Sequence, residues 1–449
     1  MKIRQILKNI SLDLSNKYLL YSLVLFFFII RLIVVIKAGV YDTALIQLGD
    51  YAGYSSFANE LISGFDWLFP GKEFPGMHRE PVYPLFLAII YSLFGASNFF
   101  SVYVVQAALS AFMTLLIFKL SYIVFQNKKA AFISMLWAGF YFIYLRYSGE
   151  LLRETMIFYL ILLLFYLFTK YAKSADFNLK KIILVAIVYT LLIHTDGRYI
   201  FYGPFLFIIF YKSFPPFIIS LKKYVIFTAF VLLFTIPWTV RNYLRYGEVI
   251  VISELTLNIT GDNLNPRNEH FDFNRIDSIY TTPAFDHNPN YPTESERQLI
   301  LKGENPNNRS QNEIGLIKKH VYSVKSYLGR KLYHIHRMWT PVELKSQYAP
   351  FPWVFFLNPW SLKHNILSFL SYGLLIPFLF IAIYYSIKSK NKYLYILLLP
   401  IAVHFALHVI TFGLERYRHP IDAFIIIIGT YGIIQIIEKL KIRKKQAKL

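Results

Sequence analysis

One acidic residue opens the first polar stretch of the chain, LGDYAGYSSFANELISG. After Asp50, apolar residues recur at helical spacing, at Tyr54, Phe57, Ala58 and Leu61. The spacing predicts a helix that Gly64 ends and whose first turn carries Asp50. There the helix dipole favours an ionised carboxylate. Asp50 is either a functional carboxylate or an ordinary N-cap, and spacing alone leaves both interpretations open.

Four arginines stand next to apolar segments, namely Arg79, Arg241, Arg416 and Arg418. A guanidinium can bind two phosphate oxygens at once, which makes these residues candidates for an anionic ligand. An arginine at a membrane boundary also extends its charged end towards water without any ligand. We favour the ligand interpretation for Arg79 and leave both open for the others.

Two short polar turns, SGELLRE and HTDGR, separate later apolar runs. They contribute Glu150, Arg153 and Glu154, and His194, Asp196 and Arg198. Glu150 and Glu154 are four residues apart and share one helical face, and we favour Glu154 as the functional carboxylate. Ionisable residues at a membrane boundary are functional candidates. Pairing of Arg153 with a neighbouring glutamate at the surface is the alternative.

Metal-binding candidates are few. Asp50, His78 and Glu80 are one set that a divalent cation would suit, and ordinary solvation of a loop is the other interpretation. His404 and His408 are four residues apart within an apolar run, but that run has no third ligand, so we interpret them as polar groups facing other helices. The chain has no cysteine, which excludes disulfides, cysteine-ligated zinc and thiol catalysis.

The elements that carry these residues are apolar runs of roughly twenty residues, long enough to cross a membrane as helices. Of the 449 residues, 56% are hydrophobic and 16% charged, whereas soluble domains carry about a quarter charged residues. The sequence therefore predicts an all-α polytopic membrane protein. The net charge of +21 comes from basic clusters between the runs. We attribute it to cytoplasmic loops beside an acidic leaflet, and not to nucleic-acid binding.

We predict ten crossings, at about 18–36, 99–124, 130–147, 153–171, 181–194, 199–219, 223–239, 366–387, 393–412 and 420–437. The basic N-terminus and C-terminal tail then lie inside, and 37–98, 148–152, 195–198 and 240–365 lie outside.

Residues 82–95 would span only about 21 Å as a helix. As an eleventh crossing they would move Lys128 and Lys129 outside. We place them as a juxtamembrane or re-entrant helix on the outer face, with a short true crossing as the alternative.

Four short motifs follow one another along the chain: DY at 50–51, REPVYP at 79–84, PWTVRN at 237–242 and ERYRHP at 415–420. Together they resemble the motifs of GT-C glycosyltransferases of the protein O-mannosyltransferase and aminoarabinose-transferase type, the bacterial family 39 type. The resemblance implies a GT-C fold of about 10–11 transmembrane helices with juxtamembrane helices in the first outer loop. We expect a catalytic module at 1–239 with its first outer loop at 37–98. An extracytoplasmic module at 240–365 and C-terminal helices with a basic tail at 366–449 would follow.

The resemblance also implies roles. Asp50 matches the catalytic base, which takes the proton of an acceptor hydroxyl that attacks the anomeric carbon with inversion. The leaving polyprenyl phosphate needs nearby cations, a role that falls to Arg79, Arg241, Arg416 and Arg418. The expected substrate cavity comprises Tyr51, Glu80, Tyr83, Glu150, Arg153, Glu154, Asp196, Arg198, Asn242 and Tyr417. Tyr51 stands where many relatives have a second acidic residue, so the metal requirement is left open.

The predicted function is transfer of a sugar from a polyprenyl-phosphate carrier to a lipid, polysaccharide or protein acceptor. The active site would face the extracytoplasmic side of a bacterial inner membrane. An O-antigen-type polymerase, which would depend on outer-loop arginines and not on Asp50, is the alternative enzyme. A lipid-linked oligosaccharide flippase or other transporter is the alternative of another class, and it would need ionisable residues deep within helices, of which Arg31 is the plainest. No Walker motif or glycine-rich phosphate loop is present.

Overall fold

The structure is a computed structural model. It describes residues 14–37, 49–63, 80–247, 249–253, 332, 335, 338–339, 366–367, 369–410 and 415–446. The chain divides into two compact units. The first comprises 1–253, 370–403 and 419–449, and the second comprises 254–369 and 404–418.

The described residues form helices and connecting turns, without strands. The α-helices are α1 (Lys17–Lys37), α2 (Gly49–Ile62), α3 (Val82–Phe94), α4 (Phe99–Phe125), α5 (Lys128–Gly139), α6 (Phe142–Tyr147), α7 (Glu154–Ser174), α8 (Leu179–Thr195), α9 (Gly203–Ser213), α10 (Phe217–Tyr246), α11 (Leu375–Lys388), α12 (Leu394–Ile410), α13 (Glu415–Arg418) and α14 (Asp422–Gln446). Short segments of 3-10 helix at Gly197–Tyr202 and His419–Ile421 and of π-helix at Phe369–Gly373 complete the described set.

The all-α membrane fold expected from the sequence is confirmed. Six segments of the described chain are long and apolar enough to cross a membrane: Lys17–Lys37, Phe99–Phe125, Glu154–Ser174, Phe217–Leu244, Phe369–Lys388 and Arg416–Lys444. Val82–Phe94 and Leu394–Val409 are shorter apolar helices. The predicted crossing at 130–147 is two helices, α5 and α6, separated at 140–141, and the one at 199–219 begins as a 3-10 turn. Most of the segment 240–365 lies outside the described residues.

Asparagine begins three of the helices. The side chains of Asn98, Asn127 and Asn178 accept hydrogen bonds from the backbone N–H three residues ahead, at 3.1, 3.0 and 3.2 Å. Each of these bonds satisfies one of the amide groups that a helix N-terminus leaves without an intrahelical partner. The caps fix where α4, α5 and α8 begin, so the short polar turns before them reverse the chain between long apolar helices.

A buried arginine holds α1 against α4 and α5. The Arg31 side chain is fully buried, and its Nε donates to Ser110 Oγ at 2.8 Å. Its Nη atoms donate to the carbonyls of Gly139 at 3.2 Å and Ala138 at 3.5 Å. These carbonyls end α5, where the chain breaks before α6 and the helix dipole is negative. Arg31 therefore satisfies the backbone at the break within the predicted crossing, which is a structural role for an ionisable group deep in the helices.

Two glycines bring α14 close to α11. A Cβ atom added to Gly432 would overlap the carbonyl oxygen of Phe378, and one added to Gly429 would lie 3.0 to 3.1 Å from Leu375. Small residues at such positions let helix backbones approach each other closely. The van der Waals contacts of that close approach help to hold helices together in lipid. The opposite side of α14 meets α5, where Ser134 and Thr430 share a hydrogen bond of 2.6 Å.

We predict that Gly432→Ala destabilises the protein by about 1–3 kcal/mol, because the added methyl group must push the Phe378 backbone away. Gly429→Ala is the matched control. Its contacts are longer, and alanine gains helix propensity of about 1 kcal/mol over glycine, so we expect a stability close to that of the wild type. The measurement is the midpoint temperature of unfolding of each purified protein in the same detergent. Equal midpoints for the two variants would contradict the close approach at Gly432.

Candidate active site

Asp50 lies in the first turn of α2, as its spacing predicted, and it is partly exposed. Helix α2 packs on α3, and the contacts between them include a pair of aromatic rings and a pair of hydroxyl groups. The Tyr54 and Tyr83 rings form an edge-to-face pair with centroids 5.0 Å apart, and Ser55 Oγ lies 3.2 Å from the Tyr91 hydroxyl. The carboxylate of Asp50 is thus placed at the end of a helix with a fixed partner, and it is open enough to meet a substrate.

A chain of hydrogen bonds begins at the residue after Asp50. The Tyr51 hydroxyl donates to Glu150 Oε2 at 3.4 Å, and Arg146 Nε donates to Glu150 Oε1 at 2.8 Å. Gln106 Nε2 donates to the backbone carbonyl of Glu150 at 2.7 Å, and Gln106 Oε1 accepts from the Tyr83 hydroxyl at 2.9 Å. The first turn of α2 is therefore linked to the turn at 148–152, which in turn is held by α4 and α3.

Arg153 joins three segments that are far apart in the sequence. Its Nη1 donates to Glu80 Oε2 and, at 3.1 Å, to the carbonyl of Thr195. Its Nη2 lies 3.5 Å from Asp196 Oδ2. The second oxygen of Glu80 accepts from the backbone N–H of Gly197 at 3.0 Å. Glu80 and Asp196 are both buried, so each carboxylate has its charge balanced where water is scarce.

Arg198 adds a second cation to Asp196. Its Nε donates to both carboxylate oxygens, at 2.9 and 3.1 Å, and its backbone N–H donates to Oδ1 at 3.1 Å. Burial alone would raise the pKa of the Asp196 carboxyl, but Arg153 and Arg198 together hold that pKa well below its usual range. A depressed pKa means that the ion pairs stabilise the fold throughout neutral and mildly acid pH and are lost only as the pH falls below the usual range for aspartate.

Glu154 and His194 flank this network. Glu154 is buried, and it is close enough to Tyr83 and Arg153 to act on both electrostatically. His194 is also buried, and its Nδ1 lies 2.9 Å from the carbonyl of Thr190 one turn earlier. The structure thus brings together eight of the predicted cavity residues, which are Tyr51, Glu80, Tyr83, Glu150, Arg153, Glu154, Asp196 and Arg198.

Arg241 and Asn242 have other contacts. Arg241 Nη1 donates to Asn242 Oδ1 at 2.9 Å, and its guanidinium lies over the Trp238 ring at 4.8 Å. Asn242 Nδ2 donates to the carbonyl of Ile250 at 2.8 Å, and Trp238 Nε1 donates to that of Ile252 at 2.7 Å. The PWTVRN motif therefore holds the chain that follows α10 against the end of that helix. A phosphate-binding role for Arg241 stays a prediction.

Three further arginines were predicted to bind phosphate: Arg79, Arg416 and Arg418. Arg79, with His78, lies outside the described residues. Arg416, Tyr417 and Arg418 form most of α13 in the second unit. Arg418 is buried and donates to the carbonyl of Met338 at 3.1 Å. Their roles towards the substrate stay predictions.

The histidine pair of α12 packs against the ERYRHP motif. The His404 and His408 rings have centroids 4.5 Å apart, and the His408 ring stacks on that of Tyr417 at 4.9 Å. His404 Nε2 also contacts the backbone carbonyl of Tyr417. These contacts fit the interpretation of the pair as polar groups that face other parts of the protein.

Within the described residues, no three side chains of His, Asp or Glu come together as a cation site. Glu80 uses one carboxylate oxygen on Arg153 and the other on Gly197, so as placed it is not an available ligand for a cation beside Asp50. His78 lies outside the described residues, so the predicted set of Asp50, His78 and Glu80 stays a prediction.

Three members of the site were missed in the sequence: Tyr54, Gln106 and Arg146. Gln106 is an amide in the middle of an apolar helix and is almost fully buried. A polar residue in such a place is itself a signal, because hydrocarbon leaves it no solvent partner. Tyr54 was taken only as an apolar position of the helical pattern. Arg146 lies within a predicted crossing, four residues before Glu150, and that spacing was the signal for their ion pair.

Solved structures with a similar fold are those of the oligosaccharyltransferase of Archaeoglobus fulgidus. Its apo form has a TM-score of 0.53 and 14% sequence identity, and the match covers 96% of this chain and 52% of that one. The archaeal oligosaccharyltransferase AglB in complex with an inhibitory peptide and a dolichol-phosphate has a TM-score of 0.51 and 13% identity, with 95% and 51% covered. The complex with Zn and sulfate has a TM-score of 0.51 and 13% identity, with 93% and 50% covered.

This likeness shows that the chain has the GT-C fold. The chain spans about half the length of the oligosaccharyltransferase that it matches. No family model matches the sequence, and no curated protein matches it.

We predict that Asp196→Asn costs up to about 3–5 kcal/mol of stability, because it removes the buried counter-charge that Arg153 and Arg198, only 15% and 19% exposed, share. Asp176→Asn makes the same chemical change beside Lys181, in a pair whose acidic side chain is 56% exposed, and an exposed pair contributes only about 0–1 kcal/mol. Thermal unfolding in one detergent at neutral pH measures both variants. An Asp196→Asn midpoint as high as that of Asp176→Asn would contradict the buried network.

Proposed function

We propose that this protein is an inverting glycosyltransferase that moves a sugar from a polyprenyl-phosphate carrier to an acceptor outside the bacterial cell membrane. One observation carries the proposal. Asp50 is a partly exposed carboxylate in the first turn of α2, and the two tyrosines that follow it, Tyr51 and Tyr54, connect that helix to a buried network of carboxylates and arginines. A reactive group on a rigid support is what acid–base catalysis requires.

In the proposed reaction, the oxygen of an acceptor hydroxyl forms a bond to the anomeric carbon while the bond from that carbon to the carrier phosphate breaks. The hydroxyl proton moves to the carboxylate of Asp50, and the bonding electrons leave with the phosphate. The attack comes from the face opposite the leaving group, so the configuration at carbon inverts. A phosphate is a stable anion and needs cations near it rather than an acid to protonate it.

The buried carboxylates suit a supporting role better than the role of base. Glu80 and Asp196 are already paired with arginines, and Glu150 accepts hydrogen bonds from Arg146 and Tyr51. A carboxylate held by a cation is a weak base, because its negative charge is stabilised. We therefore assign Glu150 to hold α2, and Glu80 and Asp196 to hold the turns around it. We assign Asp50 to the proton transfer because it matches the base of the resembling family and is partly exposed.

The arginines of the motifs are the proposed partners of the carrier phosphate, namely Arg79, Arg241, Arg416 and Arg418. The solved complex of the Archaeoglobus oligosaccharyltransferase with a dolichol-phosphate supports a lipid-phosphate carrier for a protein of this fold. The acceptor is a lipid, a polysaccharide or a protein. The sugar is a hexose or a pentose.

We predict that Asp50→Asn lowers the rate of sugar transfer by about 10²–10⁴-fold, because the amide keeps the size of the side chain and cannot take the proton. Glu60→Gln is the control. It makes the equivalent change near the other end of α2, where Glu60 accepts a hydrogen bond of 3.3 Å from Ser56 in the same helix. Membranes containing each protein are offered a panel of radiolabelled polyprenyl-phosphate sugars, and transfer to endogenous acceptors is measured.

Full activity of Asp50→Asn in well-folded protein would refute the assignment of the base. If the wild type consumes none of the lipid-linked sugars, the polymerase or the flippase becomes the better interpretation.

The same assay with a chelator, followed by added Mg²⁺ or Mn²⁺, tests for a cation. Activity that is lost and then restored would assign a cation to the reaction, and unchanged activity would leave the transfer to protein side chains alone.

A further inference from the structure

Helices α11 and α14 run parallel, so their C-terminal ends lie together. Three contacts establish this: Leu375 meets Gly429, Phe378 meets Gly432 and Tyr385 meets Lys439, in the same order along both helices. The first two contacts are close because the glycines have no side chain. Towards the C-terminal ends the facing residues are large, among them Tyr385 and Lys439.

A groove of about 480 Å³ opens between the two helices at this end. Its walls include Phe380 and Tyr384 of α11, which are 66% and 60% exposed, and Ile436 and Leu440 of α14. In a membrane-spanning chain, such exposed apolar side chains face lipid. The volume is within the range of about 300–1,000 Å³ that small-molecule sites have in proteins.

Two cations of α14 line the same groove, Lys439 and Arg443. They are four residues apart, so they lie one above the other on one helical face. No acidic residue lines the groove, and none of the described residues forms an ion pair with either cation. Lys439 lies over the ring of Tyr385 at 5.9 Å. The groove thus has apolar walls and a positive end.

We propose that this groove binds one anionic phospholipid of the cytoplasmic leaflet. Its phosphate would lie between Lys439 and Arg443, and an acyl chain would lie along Phe380, Tyr384 and Leu440. The side of the membrane follows from charge: α11 ends in KSKNK and α14 in KLKIRKKQ, and such basic ends lie on the cytoplasmic side, where the lipids are acidic. The proposal concerns the end of the chain and does not depend on the proposed glycosyl transfer.

General attraction between a basic tail and an acidic membrane is the competing explanation, and it requires no groove. The chain offers a control that separates the two. Lys441 and Lys444 belong to the same turns of α14 and are exposed, but they do not line the groove. A pair of substitutions there removes the same charge as a pair within the groove.

The experiment compares the full-length wild type, Lys439→Gln/Arg443→Gln and Lys441→Gln/Lys444→Gln, each purified in detergent. Dioleoyl phosphatidylglycerol or dioleoyl phosphatidylcholine is added, and native mass spectrometry counts the lipids that each protein retains. We expect the wild type and the Lys441/Lys444 variant to retain one phosphatidylglycerol in preference to phosphatidylcholine. For the Lys439/Arg443 variant we expect affinity lower by about thirtyfold.

Equal loss of affinity in the two variants would overturn the site in favour of general attraction. A wild type that does not prefer phosphatidylglycerol would overturn it as well. Phe380→Ala keeps both cations and shortens the apolar wall at an exposed position, so we expect it to weaken retention of the dioleoyl lipid and leave unfolding temperature nearly unchanged. Undiminished retention by Phe380→Ala would contradict a bound acyl chain.

Discussion

The guanidinium of Arg153 is the group on which the arrangement of the polar segments depends. It lies at the start of α7 and contacts Glu80 before α3, Thr195 at the end of α8 and Asp196 just after it. A buried carboxylate left without a cation is far more costly than a poorly packed apolar side chain. Glu80 and Asp196 can therefore be buried only when all three segments are in place, and this requirement ties them together more strictly than apolar packing alone would.

The same constraint operates deeper in the helices. Arg31 reaches the carbonyls that end α5, and Gln106 bridges the Tyr83 hydroxyl and the backbone of Glu150. In both cases a polar side chain on one long helix satisfies backbone or side-chain groups at an irregular part of the chain. Hydrocarbon offers no water for such groups, so breaks and turns are tolerated where the protein itself supplies the partners.

In the proposed mechanism, the supporting carboxylates and the reacting carboxylate differ in burial. Glu80, Glu150 and Asp196 are buried, and Asp50 is partly exposed at the N-terminal end of α2. The carboxylates held by arginines are therefore the weaker bases, and the proposed catalytic carboxylate is the one that the protein leaves partly exposed. The likeness to an oligosaccharyltransferase of twice the length shows a common fold. It leaves the acceptor to be found by experiment.

The sequence by itself determined the class of fold, because runs of apolar residues in lipid can satisfy their backbones only as helices. It also identified Asp50, Glu80, Arg153 and Asp196 as candidates, because ionisable residues beside apolar runs are few. It did not determine which of them pair. The break between α5 and α6 was missed, since the run at 130–147 is apolar around the break and the partner that makes the break tolerable, Arg31, lies about a hundred residues earlier.

Only the tertiary structure decided which partners the polar residues have. Arg153 was expected to line a cavity, with a surface pair to Glu150 or Glu154 as the alternative, and its ion pairs in the structure are with Glu80 and Asp196. Arg241 and Asn242 share a hydrogen bond, and Asn242 also bonds to the chain just after α10, which are contacts that their motif does not predict. Spacing along one helix predicts neighbours on that helix. Pairing across helices depends on which faces meet, and only the packed bundle specifies that.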